Sequence, residues 1–220
     1  MRIGSATPSN PRKYSVGRAN SNTETDIRSY KELEHETHFL SLPKGAHLSV
    51  EYLAVNPSGL VPFLIDGDVR IGQSLAIIEY LDEVYPQVRL LPEDPAARAA
   101  VRALAQTIAC DVHPLNNLRV QNYLRQKMGA EQPSVEEWAR TWVHAGFGAL
   151  EDAARRGGGF MFGGRLSLAD VCLLPQLYNA RRVFFDLQPY SALLAIERRL
   201  MEIPAFAASV PELQPDAVQR

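Results

Sequence analysis

What this sequence has little of removes several classes of protein. Cysteine is scarce: there are two in 220 residues. Cys110 and Cys172 sit inside apolar helical patterns rather than in a paired-spacing motif, which argues against a disulfide framework, a metal site or a catalytic thiol. Two buried, reduced thiols are the expectation, and no metal is expected. An excess of one charge is also lacking, since 23 Lys and Arg stand against 25 Asp and Glu for a net charge of -2. Without a basic footprint, nucleic acid is not the expected partner. No apolar stretch approaches the length of a membrane span, and no N-terminal apolar run has signal length. A soluble, cytoplasmic protein with no membrane partner is expected. The hydrophobic fraction of 46% is enough for a real core in one compact unit or in two small domains sharing an interface.

The most informative stretch is residues 56–81. A turn cluster with Pro57 and Pro62 leads into the apolar run Phe63-Leu-Ile65. The tight turn Asp66-Gly-Asp68 returns the chain through Val69-Arg-Ile71, which reads as a β-hairpin. Leu75, Ile78 and Leu81 then repeat at helical spacing, so Ser74 falls where its hydroxyl and the free amides of a first helical turn face outward. An anion can dock at such a helix start. Val61-Pro62 precedes a strand, where proline is tolerated as a turn or cis residue. A cis bond there would expose the Val61 amide and carbonyl, able to hold a peptide as a short extra strand.

Residues 1–11 are rich in Ser, Asn and Pro without periodicity and read as a disordered tail. Residues 12–16 read as a first strand, 24–33 as a weakly amphipathic helix on Ile27, Tyr30 and Leu33, and 37–42 as a second strand. Strand, helix, strand, hairpin and helix give a four-stranded mixed sheet over residues 12–84. Residues 85–95 are dotted with proline and read as a linker. From 96 to 220 the pattern is helical: one long helix over 96–126 broken or kinked near Pro114, a second over 134–156, a third opened by the capping-box spacing of Ser167 and Asp170, and a fourth over 191–201.

Hairpin, Gln73-Ser74 pair and helix resemble the second half of a thioredoxin-like domain in glutathione transferases. From about residue 42 to 216 the chain is similar to the zeta class of that family, the maleylacetoacetate and maleylpyruvate isomerases. The matching segments are Leu53-Ala-Val-Asn-Pro-Ser-Gly-Leu-Val-Pro62, Gln73-Ser-Leu-Ala-Ile-Ile-Glu-Tyr-Leu81, Cys110-Asp-Val-His-Pro-Leu-Asn-Asn-Leu-Arg119, Leu168-Ala-Asp-Val-Cys172, Pro175-Gln176, Asn179-Ala-Arg-Arg182 and Gln214-Pro-Asp216. The resemblance implies an α/β thioredoxin-like N-terminal domain with an all-α C-terminal bundle, glutathione as cofactor, a small dicarboxylic anion as substrate and a homodimer. It also implies a reaction: thiolate addition to a cis double bond, rotation about the resulting single bond, and thiol expulsion from the trans isomer.

For glutathione, the resemblance points to the Val61 backbone at the turn with Pro62, to Gln73 and Ser74 for the γ-glutamyl end, and to His47 for the glycyl end. On the substrate side it points to Arg119 and Arg182, and to Arg18 if Tyr14-Ser-Val-Gly-Arg18 aligns with the family's Tyr-x-x-x-Arg strand end. Arginine suits substrate carboxylates and a developing enolate, although each one also reads as a surface residue in a local ion pair. His113 and Asn117 read equally as ligand contacts or as partners for carbonyls freed by Pro114. Arg181 reads as facing solvent or an acid, and His35, His38 and His144 as solvated or core histidines.

The first helix departs from the family. The family's Ser-Ser pair, whose hydroxyl stabilises the thiolate, is replaced by Ala19-Asn-Ser-Asn-Thr-Glu-Thr-Asp26. Ser21 or Asn20 can take over that role, and both are also ordinary capping residues. Glu24 and Asp26 suit a helix start, but facing the cleft they would raise a thiol pKa and repel a dianion. Two other readings therefore stand beside the isomerase: a glutathione transferase or dehalogenase of wider range, and a non-catalytic glutathione-binding homologue.

Overall fold

The structure is a computed structural model that describes residues 15–18, 27, 30–34, 36–42 and 44–213, with the backbone alone at 15–18. The tail expected over 1–11 lies outside the described residues. Strands β1 (Ser15–Arg18), β2 (Glu36–Phe39), β3 (Phe63–Asp66) and β4 (Val69–Gly72) form one sheet in the order β2-β1-β3-β4. β1 runs parallel to β2, and β3 is antiparallel to β1 and to β4. The parallel pair needs a crossover, and helical Ile27 and Tyr30 lie on it. β1 and β2 sit slightly off the expected 12–16 and 37–42, because short strand ends depend on pairing rather than on local propensity.

The hairpin closes where Asp66 pairs with Val69. Leu64 is fully buried, and buried Asp66 accepts a hydrogen bond from Tyr80 Oη at 2.7 Å. Helix α1 (Val50–Val55) is capped by Ser49, whose side chain accepts from the Tyr52 amide. Helix α2 (Ser74–Val84) buries Ile77, Ile78 and Leu81.

Residues 85–94 carry no helix or strand, as the prolines require, yet the segment is firmly held. Leu90 and Leu91 are buried, their amides donating to Asp82 at 2.8 and 3.1 Å. Lys31, from the end of the first helix, spends its three ammonium hydrogens on Asp82 Oδ1 at 2.9 Å, the Tyr85 carbonyl at 2.9 Å and the Val88 carbonyl at 2.6 Å. Both side chains are almost wholly buried, 2% and 3% exposed.

The helical half starts with α3 (Pro95–Gln106), capped by Asp94 with Pro95 in its first turn. The single long helix expected over 96–126 is divided: α3 passes into a π-helical segment, Thr107–Val112, then a 3-10 turn, His113–Asn116, and only then α4 (Leu118–Met128). Pro114 has no amide for an α-helical bond, so the chain changes pitch around it. The π turn rotates Cys110 outward, correcting its expected burial, while Cys172 is buried as expected.

Helix α5 (Gln132–Arg156) packs against the π segment through Gly146, where a Cβ would collide with the Val112 side chain. Helix α6 (Leu168–Arg182) opens with the expected capping box. Asp170 accepts from Ser167 N, Ser167 Oγ and Met161 N. Burial pushes its carboxyl up to about 6 against these hydrogen bonds, which favour the charge. Helices α7 (Ser191–Met201) and α8 (Pro204–Ala208) follow, and a 3-10 turn, Pro211–Leu213, ends the described residues.

Glu151 of α5 caps α7 from the side, accepting from the Ala192 and Leu193 amides at 3.0 to 3.1 Å. His144, expected to lack a specific partner, meets Tyr190 Oη at 2.8 Å. Arg181 pairs with Glu197. One core cluster runs through both halves, from Leu64 and Leu81 to Phe147 and Leu173, and Tyr30 stacks on Phe206 across them at 5.6 Å.

Replacing Asp82 with Ala strands the Lys31 ammonium in the interior with two carbonyls for company. Its unfolding free energy in urea is expected to fall by about 3–5 kcal/mol, the usual cost of orphaning a buried charge.

Candidate active site

A cleft of about 770 Å³ opens between the hairpin half and the helical half. Its floor comes from two turns. One is the Asn56-Pro-Ser-Gly-Leu-Val61 turn, where Gly59 adopts φ +60° and a Cβ would press on Leu48 and Leu53 at 3.2 Å. The other is the start of α2, where Gln73 takes φ 72° as N-cap and Ser74 is the first helical residue. The Val61-Pro62 bond is cis, one of the two arrangements the sequence left open. Neither polar group of the Val61 main chain has a hydrogen-bond partner among the described residues.

The predicted site residues converge unevenly. His47, Val61, Ser74, His113, Asn117, Arg119 and Arg182 all line the cleft. Pro62 is buried beneath it, and Gln73 is exposed without lining it. Arg18 is described in its backbone only, as the last residue of β1; Asn20 and Ser21 lie outside the described residues.

The electrostatics of the cleft oppose those of the chain. Among its described lining residues are Arg119, Arg125, Lys127 and Arg182 and a single carboxylate, Glu136. Glu136 is turned to Gln132 at 2.8 Å and Arg140 at 3.7 Å. Arg119 and Arg182 have no acidic partner among the described residues. The chain as a whole carries -2, which makes this local positive field a matter of arrangement rather than composition.

The two alternatives for Asn117 separate in the structure. Its Oδ1 accepts from the Arg119 amide at 3.1 Å, so it caps α4 and orients the helix that carries Arg119. Asn116, one position earlier, is the residue that serves a carbonyl, donating to Val112 O at 3.0 Å. His113 lies deep in the wall, where burial and the nearby Arg119 charge pull its pKa below the usual histidine value while the neighbouring Gln176 amide pulls it up. The ring is therefore neutral at pH 7. The Gln176 side chain is buried beside that ring, and neither of its amide atoms completes a well-formed hydrogen bond among the described residues. The Nδ1 of His47 is likewise buried without a hydrogen bond among the described residues.

Residues that sequence reasoning did not single out include Asn116, Asn179 and most of α4, among them Gln121, Arg125 and Lys127. A signal for α4 was available: Leu124 is its one buried residue, and a helix this polar leaves a face open for a cleft.

Comparison with known proteins agrees with this geometry. The family described as glutathione S-transferase, N-terminal domain, matches residues 27–84, and its C-terminal domain counterpart matches residues 132–202. A probable maleylacetoacetate isomerase of Vibrio cholerae is 48% identical over 190 residues, covering 85% of this chain and 88% of that protein. The holo structure of a maleylpyruvate isomerase, a bacterial zeta-class glutathione S-transferase, superposes with a TM-score of 0.89 at 38% identity over 94% of this chain and 100% of that one. A maleylacetoacetate isomerase from Methylobacterium extorquens AM1, solved with malonate and glutathione, gives a TM-score of 0.87 at 34% identity over 94% and 100%. The chain belongs to the glutathione S-transferase family. Its relatives within that family are the zeta-class isomerases, in agreement with the resemblance read from the sequence.

If Asn117 acts as the α4 cap, Asn117→Ala costs about 1 kcal/mol in chemical denaturation, whereas Asn117→Asp and Asn117→Ser, which also cap, lose only a few tenths.

Proposed function

We propose that the protein is a glutathione-dependent cis-trans isomerase acting on maleylacetoacetate or maleylpyruvate in aromatic catabolism. The observation that carries this reading is the meeting of Arg119 and Arg182, which have no acidic partner among the described residues, with Ser74 and the Val61 main chain in one cleft. The fit to glutathione rests on polar groups without partners. The Val61 amide and carbonyl match a peptide's own, the start of α2 offers amides and the Ser74 hydroxyl to a carboxylate, and His47 leaves a buried nitrogen unsatisfied. Gln73 flanks the same helix start and is assigned to the γ-glutamyl end with Ser74.

Bound glutathione supplies a thiolate that adds to the cis double bond and departs after rotation, with no net change in the atoms of the substrate. Arg119 and Arg182 hold the two carboxylates and stabilise the negative charge that spreads onto the carbonyl oxygen after addition. Asn117 keeps Arg119 in register by capping its helix. By the family resemblance alone, Arg18 is assigned to the substrate carboxylates beside Arg119 and Arg182, and Ser21 or Asn20 to the sulfur in place of the absent Ser-Ser pair.

Residues 12–84 serve as the glutathione-binding unit, 85–95 as the joint and 96–220 as the substrate-side unit. The cytoplasm suits a reaction that consumes no oxidant and needs reduced glutathione. No helix among the described residues is long and apolar enough to cross a membrane. The protein assembles as a homodimer in this reading, and exposed Leu48 and Val50 offer an apolar face for a second copy.

Adding maleylpyruvate or maleylacetoacetate with glutathione and following absorbance tests the proposal, and turnover no faster than the spontaneous rate rejects it. Arg119→Gln and Arg182→Gln are each expected to lower kcat/KM for the dicarboxylate by about 10- to 100-fold, the worth of one hydrogen bond to a charged group. The KM for glutathione should move far less.

A further inference from the structure

We propose that Tyr52 and Asn56 are positioning residues for glutathione, acting through the carbonyl of Leu60. The inference rests on the reading above in which the Val61 main chain receives the tripeptide. The Leu60 carbonyl and the Val61 N–H are the two ends of one peptide unit. The acceptor end is gripped twice: Tyr52 Oη donates to Leu60 O at 2.6 Å and Asn56 Nδ2 donates to the same oxygen at 2.7 Å. Both lone pairs of that oxygen are thereby engaged. The donor end carries no partner among the described residues, and Leu60 and Val61 line the cleft while Tyr52 and Asn56 stand behind it.

The grip is itself braced. Asn56 is 4% exposed, its amide oxygen accepting from Ser58 N at 3.2 Å and Ser58 Oγ at 2.8 Å, and its backbone N–H donates to Tyr52 O at 2.8 Å. Asn56 Nδ2 also reaches Tyr52 Oη at 3.4 Å, so the two donors hold each other in place. Burial pushes the Tyr52 phenol pKa up, the Asn56 contact opposing it, and the hydroxyl stays a donor throughout the neutral range.

Two effects on the Val61 N–H follow. The peptide plane is fixed before the ligand arrives, so less conformational freedom is lost on binding. Electron density drawn toward the doubly bonded oxygen also makes the N–H at the other end a stronger donor. Both effects act on recognition of a peptide carbonyl and neither acts on the sulfur or on the dicarboxylate.

The test is Tyr52→Phe, which removes one donor and keeps the ring. The expected result is about fivefold weaker binding of glutathione by calorimetry, the same loss for S-methylglutathione, and a matching rise in glutathione KM. At saturating glutathione kcat should stay within about twofold, and in the unliganded protein the Val61 amide proton should move upfield in NMR spectra. Tyr178→Phe, which removes a phenol hydrogen bond to Glu212 outside the cleft, serves as control and should bind like wild type. Should Tyr52→Phe be insoluble, Asn56→Ser removes the other donor and carries the same expectations. A variant with lowered stability but unchanged affinity and amide shift, or with reduced kcat at unchanged affinity, overturns the proposal. Failure of the wild type to bind glutathione would instead overturn the reading beneath it, and shows before any substitution is made.

Discussion

The cleft lies between two differently built halves, and the buried Lys31–Asp82 pair fixes the joint that leads from one to the other. Three segments meet there: the end of the first helix, the last turn of α2 and the joint leading to the helical bundle. A buried ion pair rarely adds much net stability, since desolvation opposes attraction. Its value here is specificity of placement, because each hydrogen of the ammonium has one destination and the carboxylate also takes two amides of the joint. A joint that left α2 along another path would leave buried charge unsatisfied. The shared core and the Tyr30–Phe206 stack then add apolar area without having to specify direction.

On that frame the division of labour is by secondary structure. The hairpin half offers backbone: the Val61 peptide unit and the amides at the start of α2, suited to a ligand that is itself a peptide. The helical half offers side chains: guanidiniums on α4 and α6 that no carboxylate among the described residues pairs with. A reaction whose intermediate bears negative charge on oxygen gains from such fixed cations without reorganisation of the site. The change of pitch before α4 belongs to this arrangement, since it turns the 113–119 segment toward the hairpin half.

What the sequence made legible was mostly local. The hairpin, the helix start at Ser74, the capping box of Ser167 and Asp170, and the break near Pro114 all depend on residues within a few positions of one another. Much of the cleft was also foreseen, through family resemblance that carried His47, Val61, Ser74, Arg119 and Arg182 to one place. Partnerships between distant residues were not. Lys31 and Asp82 lie 51 positions apart, and His144 and Tyr190 lie 46 apart. Cys110 failed for a different reason: apolar periodicity assumes an α-helical pitch, and a π turn rotates each following side chain away from the face that pitch assigns. Asn116 and Asn117 show the resolution limit of pattern reading, since adjacent identical residues divide capping and carbonyl service between them.

The absence of a side chain at Gly146 has a reach that its position conceals. Helix α5 touches Val112 directly there, and Val112 is joined covalently to His113 in the cleft wall. The tolerance of the substrate pocket to drift is thus set partly from behind, at a site no ligand meets. A single added methyl would displace the wall itself, and the catalytic consequence would look, in a list of variants, like a residue with no reason to matter.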